Sequence, residues 1–472
     1  MNRSLLVAWV AVLLLASPTL TSGGAPAVDG ADPAPSPAPT AAAVRLFPDA
    51  AARRLTVDQA VERALAASPR LLRFGALQTA AEADEDAARA ERWPQVEVGA
   101  GYQRRSRVRE LSIVAPAADP TLPVNLITIF PNIQDNYRLR AGFSVPLYTG
   151  GRIGSQIEAT GWGREAAEAD LRAARADLVL EVKTAYWSLV TARETVRVLQ
   201  EAIRAFDAHL EDARNRERFG MAARNEVLAV QVERDRSELD QLSARAAADV
   251  TEADMRRLLD LPPEARVETI EPLATAPSAP ADLEALVTEA QGSRPDRAAL
   301  AARAAALEAL TGVERGARLP QVALSGGYTY ANPNRDIVPP EAEWQNTWDV
   351  GVSVSWSVFD GGRRSAGEAR ARARAEATRE QLRELDRALR LEVTRRALEL
   401  RTAEARLSVA DRSRESARAS RKVAADRYRE GVIPSSELLD AEVALERASL
   451  QRMEALAQLR LAAAGLDRAV GR

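Results

Sequence analysis

The stretch that most constrains the fold is Ala141–Arg152, AGFSVPLYTGGR, because it returns 211 residues later as Val352–Arg363, VSVSWSVFDGGR. Each copy alternates strictly between apolar and polar residues, reaches two glycines and an arginine, and passes into a long Ala/Glu/Arg-rich run without proline. Strict alternation specifies a β-strand with one apolar face, and apolar residues every third or fourth position specify a helix. A strand joined directly to a very long helix, and made twice, leaves few architectures open.

The first helical run, 152–218, carries a seam at Leu178, Val182, Ala185, Leu189, Ala192, Val196, Leu199, Ile203, Phe206, Leu210 and Ala213. The steps alternate between four and three, the a/d spacing of helices that pack lengthwise on one another. At ~1.5 Å per residue such a run makes a rod roughly 100 Å long. Gly220 breaks it, a returning helix begins near Ala222, and Pro262-Pro263 closes the hairpin.

The second half of the chain repeats the first. Pro69 matches Pro295, Trp93-Pro94-Gln95-Val96 matches Leu319-Pro320-Gln321-Val322, and Tyr102 matches Tyr328, all at an offset of 226. A loop shorter by 15 residues then resets the offset to 211, which aligns Gly150-Gly151-Arg152 with Gly361-Gly362-Arg363 and Gly220 with Gly431. The expected organisation is a first repeat over 49–270, with helices in 55–92, strands at 94–108 and 136–148 and a helical hairpin over 152–260. The second repeat spans 271–472, with helices in 282–317, strands at 320–331 and 346–359 and a hairpin over 363–468. The segment Leu111–Gln134, with four prolines and no period, reads as a loop.

Each strand sets Val, Leu, Phe, Tyr and Trp against Gly, Ser, Asp or Arg, and a length of about 10 residues suits a tilted bilayer crossing. Tyr102, Tyr137, Tyr328, Tyr330, Trp344 and Trp348 fall near the loop ends, and Trp93, Tyr148, Trp356 and Phe359 near the helix ends. Two such belts are the pattern of interfacial anchoring. A four-stranded sheet cannot sit alone in lipid, because every exposed edge group costs several kcal/mol, so the strands must be pooled among subunits. Two copies would give eight strands and three would give twelve.

Composition bounds the function. Aromatics are 4% and charged residues 28%, a mixture that fits long helices better than ordinary globular cores. A net charge of -3 offers no basic field for nucleic acid. With no cysteine and one histidine, disulfides, thiol chemistry, cysteine lipidation and the usual zinc sites are excluded. The start of the chain reads as a secretory signal peptide over 1–24, with Arg3 before the apolar run Leu5–Ala16, followed by a Pro/Ala-rich linker over 25–48. No later run reaches ~18 consecutive apolar residues, so a membrane would be met through a β-barrel.

With the repeats, the GGR turns and the hairpins in place, residues 55–466 resemble the TolC family of outer membrane efflux proteins. The resemblance implies a mixed α+β membrane protein. It would be a homotrimer whose 12-stranded outer-membrane barrel, four strands per chain, is continued by a coiled-coil helical barrel in the periplasm. It implies passive export with a periplasmic adaptor and an inner-membrane transporter as partners, outer membrane lipid around the barrel, and no enzyme activity or cofactor. The exit duct of a type I protein secretion system is a second reading, and a pore-free periplasmic scaffold or adhesin a third. The resemblance also assigns roles to the hairpin tips: Gly220, Met221, Gly431, Val432 and Ile433 would meet the adaptor, and Glu226, Tyr428, Glu437 and Asp440 would form the periplasmic gate. Some relatives carry a basic latch residue two after the second tip glycine; here that position is Ile433.

Three readings from the residues alone accompany these. The GGR turns lack the Lys-Ser/Thr of a phosphate-binding loop, and their equivalent places in both repeats mark structural turns. Glu437 and Asp440, near a helix start, are equally placed to complement its dipole. His209 lies beside the seam and, lacking partners in the local sequence, reads as a solvated or interhelical residue.

Overall fold

The computed structural model describes residues 53–115, 125–273 and 282–472. The expected signal peptide and linker, and part of the proline-rich loop, lie outside these residues.

Helix α1 (Val57–Ala67) starts at a capping box in which the Thr56 hydroxyl accepts from the Gln59 amide and the Gln59 side chain accepts from the Thr56 amide. Pro69 opens α2 (Pro69–Ala90), where its missing N–H would find no intrahelical partner anyway. The second half repeats this device with Asp282 capping α5 (Leu283–Ser293) and Pro295 opening α6 (Pro295–Gly316). The two long rods are α3 (Arg152–Arg218) and α7 (Arg363–Arg429), each 67 residues. They return as α4 (Arg224–Leu258) and α8 (Ser435–Val470).

Four strands form one antiparallel sheet in the order β2-β5-β7-β8: β2 (Gln95–Arg104), β5 (Asp135–Tyr148), β7 (Gln321–Asn332) and β8 (Gln345–Ser355). Its register puts like with like. Val98 pairs Ala141, Ala141 pairs Tyr328, and Tyr328 pairs Trp348. One step along, Gly142 pairs Gly327 and Gly327 pairs Asp349. The apolar side of the sheet is exposed, with Val98 79%, Trp348 74% and Val352 63% accessible. An apolar surface of this extent on a water-soluble chain would be a liability. Among the described residues no helix is long and apolar enough to cross a membrane.

The structure departs from the sequence expectations in four places. The strand expected over 94–108 ends at Arg104. The strand expected over 346–359 stops at Ser355, where the Trp356 indole turns to donate to the Arg318 carbonyl at 3.1 Å. The segment read as a loop contains an antiparallel hairpin, β3 (Leu111–Ala115) with β4 (Asn125–Phe130), whose β-branched residues were obscured by the flanking prolines. A short parallel pair, β1 (Arg53–Leu55) with β6 (Val267–Thr269), ties the start of the described chain to the end of the first hairpin.

The core is elongated. One apolar cluster gathers α1, α3, the end of α4 and β6 around Tyr186, Leu189 and Met255, and a second gathers α5, α7 and α8 around Val393, Leu400 and Leu456. The α3 seam is largely buried, yet Tyr186, Trp187 and Val190 are buried off it because α1 and β6 cover another face of the rod. Toward the hairpin tips the helices lie in a row, α4-α3-α8-α7; toward the sheet the row is α2-α3-α6-α7. Both rows end at α7 on one side and at α4 or α2 on the other.

Candidate functional site

Three features are candidates for function: the turns between strands and helices, the hairpin tips, and the polar face of the sheet. The turns follow from glycine. Gly150 and Gly151 have φ of 62° and 85°, and Gly361 and Gly362 have 67° and 88°, the left-handed region that favours glycine. The second glycine of each pair caps its helix without a side chain. The residue just before each pair takes over: Asp360 accepts from the Gly362 and Arg364 amides at 3.1 Å, and the Thr149 carbonyl accepts from the Arg152 amide at 3.1 Å. Arg152 reaches Glu91 at 3.4 Å and fastens α3 to the end of α2. Among the described residues Arg363 makes no corresponding pair; its neighbour Arg364 holds Asp360 and the Ser357 carbonyl instead. These groups are spent on the turn.

The two tips share one backbone solution. At the first, the Gly220 amide donates to Glu217 and the Met221 amide to Arg216; at the second, Gly431 donates to Tyr428 and Val432 to Arg427. Both are Schellman caps, closed by a left-handed glycine and followed by an apolar residue. Phe219, Met221 and Val432 are 76%, 69% and 65% exposed, so each tip presents apolar side chains to its surroundings.

Behind the tips lies a buried polar cluster. The His209 ring is within 2.9 Å of Glu442 Oε2 through Nδ1 and within 2.9 Å of Ser435 Oγ through Nε2. Arg421 approaches the other Glu442 oxygen at 3.4 Å. The Arg216 guanidinium sits 4.1 Å from the centre of the Tyr428 ring and donates to the Tyr428 carbonyl at 2.6 Å. His209 meets the same ring edge-on at 5.3 Å. The cluster joins α3, α7 and α8 just above the tips. Its sequence signal is that His209 follows Phe206 by three and Glu442 follows Leu438 by four, so both fall on apolar faces.

A chain with these rods, turns and exposed strands matches the sequence model of the outer membrane efflux protein family over residues 60–260 and 286–472. The chain belongs to the outer membrane efflux protein family. That family is one of channel proteins. Solved TolC-like channels share the architecture. The outer-membrane channel OprN superposes with a TM-score of 0.73 at 25% identity, covering 88% of this chain and 89% of OprN. VceC from Vibrio cholerae gives 0.72 at 19%, covering 88% and 96%. The open state of the Neisseria gonorrhoeae MtrE channel gives 0.73 at 18%, covering 88% of each chain. Compared by sequence with curated proteins, the chain has no significant match.

Against this family frame the expected site residues sort themselves by exposure. Glu437 and Asp440 sit one turn apart on the outward side of α8, while Leu438 and Leu439 between them are buried. Glu226 lies in the first turn of α4, partly buried. Neither Glu226, Glu437 nor Asp440 has an ion-pair partner among the described residues. Tyr428 differs from them: it is 3% exposed and packs inside the subunit, with burial pushing its phenol pKa up. Glu446, on α8 a turn beyond Glu442, is pushed up as well, first by burial and then by Asp240 and Glu233, although Ser237 donates to it at 2.9 Å. Among the described residues no carboxylate, histidine or cysteine group is assembled to hold a metal ion.

Proposed function

We propose that this chain is one subunit of a ring-closed export duct that passes solutes across the outer membrane. One observation carries the reading: every layer of the subunit is open at matching edges. The sheet ends at β2 on one side and β8 on the other, and the helical rows end at α2 or α4 on one side and α7 on the other. The helical edges carry unpartnered apolar seams, Leu228, Val232, Leu239, Leu242 and Val250 on α4 and Leu391, Leu398, Val409 and Val423 on α7. Opposite edges of one chain that complement each other make a head-to-tail contact, which closes into a ring.

In the family three copies close the ring. On that count four strands per chain give a 12-stranded barrel, its Val, Tyr and Trp face toward lipid and its Gly, Ser and Arg face toward the lumen. The rods continue the barrel into the periplasm, and the internal repeat explains why two rods of equal length arise from one chain. The tips would form the entrance, with Glu437 and Asp440 of three subunits converging and Glu226 close by. Crowded carboxylates of this kind favour cations. Exposed Phe219, Met221, Val432 and the partly buried Ile433 suit docking of a periplasmic adaptor that links the duct to an inner-membrane transporter. The chain supplies no chemistry and no energy.

The test is the mass of the mature protein in mild detergent, followed by conductance of that species in a planar bilayer. A trimer with a small, mostly closed conductance supports the duct. A monomer soluble without detergent would remove it.

A further inference from the structure

The end of the sheet farthest from the helices carries a concentration of arginine that the reading above does not use. Arg105, Arg109 and Arg335 border a hollow of about 510 Å³ whose apolar wall is Leu111, Phe130 and Ile133. Arg335 is anchored by one hydrogen bond, from Nε to Asn136 Oδ1 at 2.9 Å, and Arg105 by one from Nε to Gln103 Oε1 at 3.3 Å. The nearby carboxylates are engaged elsewhere. Asp135 accepts from the Tyr102 hydroxyl at 2.8 Å and lies 3.6 Å from Arg104, Glu110 accepts from the Asn132 amide, and Asp336 accepts from Thr347. None of them pairs with Arg105, Arg109 or Arg335. Burial, and then the charges of Arg105 and Arg138, depress the Arg335 pKa, which is the electrostatic sign of guanidinium groups crowded without a counter-charge.

The side of the sheet is decided by register. Gln103 and Asn136, which hold these arginines, share the face of Gly101, Arg138 and Arg140, opposite Tyr102, Tyr137 and Leu139. On the duct reading, that face looks into the lumen. We infer that the outward mouth of the duct is an anion-binding vestibule, built by Arg105, Arg109 and Arg335 over the Leu111–Phe130–Ile133 wall, that takes an organic anion with an apolar body. Guanidinium forks suit carboxylate, sulfonate or phosphate heads, and the wall takes the rest of the molecule. A lumen-facing site takes a solute in transit rather than a lipid headgroup. The inference rests on the duct reading for its orientation, and its ligand chemistry rests on the arginines alone.

The experiment uses the full chain in bilayers of neutral lipid, with 2-naphthalenesulfonate as probe. Added on the loop side, it should reduce the current, and the double variant Arg105→Gln/Arg335→Gln should need at least tenfold more probe for half-block. The double lysine variant, which keeps the charge, should retain part of the effect, and a naphthyl trimethylammonium cation should not block from that side. Equal block of wild type and the glutamine variant, equal block by the cation, or absence of block would overturn the vestibule. Block from the loop side of a variant-sensitive kind in lipid without phosphate headgroup charge excludes a lipid origin. If the protein conducts no current at all, the duct reading fails separately. Equilibrium dialysis of the probe against the detergent-solubilised chain then decides the site: binding lost in the glutamine variant supports it, and unchanged or absent binding rejects it.

Discussion

Replacing His209 with alanine tests whether the buried cluster fastens the tips. The ring makes two contacts of 2.9 Å, to Ser435 and to Glu442, where the His209 and Glu442 side chains are 1% and 4% exposed. Without it the Ser435 hydroxyl has lost its partner, which costs about 1 kcal/mol at the low end for a buried group. Glu442 loses its nearest partner and keeps Arg421 at 3.4 Å. Losing a hydrogen bond to a charged group costs about 1.5 kcal/mol at the low end. The expected total is therefore roughly 2.5 kcal/mol, or about seventyfold in the ratio of opened to closed tips.

Hydrogen exchange of the first turns of α8, Ser435 to Glu442, reads this opening directly. The His209→Ala protein should exchange there far faster than wild type, while the sheet and the apolar clusters around Leu189 and Leu456 stay protected. Ser435→Ala removes one neutral bond and should accelerate exchange only about fivefold, the equivalent of about 1 kcal/mol. If His209→Ala exchanges like wild type, or if the two variants are indistinguishable, the cluster does not fasten the tips.

Further outcomes follow from other contacts. Gly150→Ala should abolish folding in detergent, since a Cβ there would lie 2.6 Å from the Gly316 carbonyl oxygen and 2.7 Å from the Leu319 Cβ. Gly361→Ala, at a similar φ but with nothing within 4 Å, should lose only the left-handed penalty of about 1–2 kcal/mol, and refolding yield separates the two. Glu446→Gln should raise the melting midpoint at neutral pH. The folded state holds the Glu446 pKa above its ordinary 4.5, so its ionised form opposes folding above the raised pKa. That penalty is relieved as pH falls through the raised value toward 4.5, so the advantage of the glutamine variant should vanish in acid. On the duct reading, Val350→Lys, on the apolar face of β8, should cost about 2–4 kcal/mol of stability in lipid, whereas Ser353→Lys on the other face should cost little, as unfolding titrations in vesicles would show.

How much of this was legible depends on whether the signal was local. Alternation in Tyr137–Leu147 and Trp348–Val354 located the strands, and identical spacing in the two halves located the turns at Gly150-Gly151 and Gly361-Gly362, because these are decided by residues next to one another. The β3–β4 hairpin was missed since prolines on either side suppressed the strand reading. The β1–β6 pair was missed since three-residue strands have no period. His209 reads from sequence as either solvated or interhelical, and the choice is not local: its partners Ser435 and Glu442 lie 226 and 233 residues away, on a helix the sequence does not place beside α3. The gate role expected of Glu437 and Asp440 rests on family resemblance alone; as residues in an opening helical turn they look like ordinary dipole partners. The vestibule arginines come from two distant segments, Arg105 and Arg109 after β2 and Arg335 after β7, and converge only once the sheet register is known.

The open edges also bear on how such a chain could enter a membrane. The outer edges of β2, ten residues, and β8, eleven, carry unpaired backbone groups in a single subunit. About half of them point away from the sheet, and each left unsatisfied in hydrocarbon costs several kcal/mol, so an inserted monomer would carry a penalty of tens of kcal/mol. That exceeds the roughly 5–15 kcal/mol by which a folded domain is stable. On the duct reading, closing the ring removes every edge at once, so insertion and assembly would be a single event. Diluting the protein during refolding into vesicles should therefore reduce the amount of inserted protein steeply with concentration, without a folded monomer accumulating in the bilayer. A protease-protected, inserted monomer at any dilution would contradict the edge argument and the duct with it.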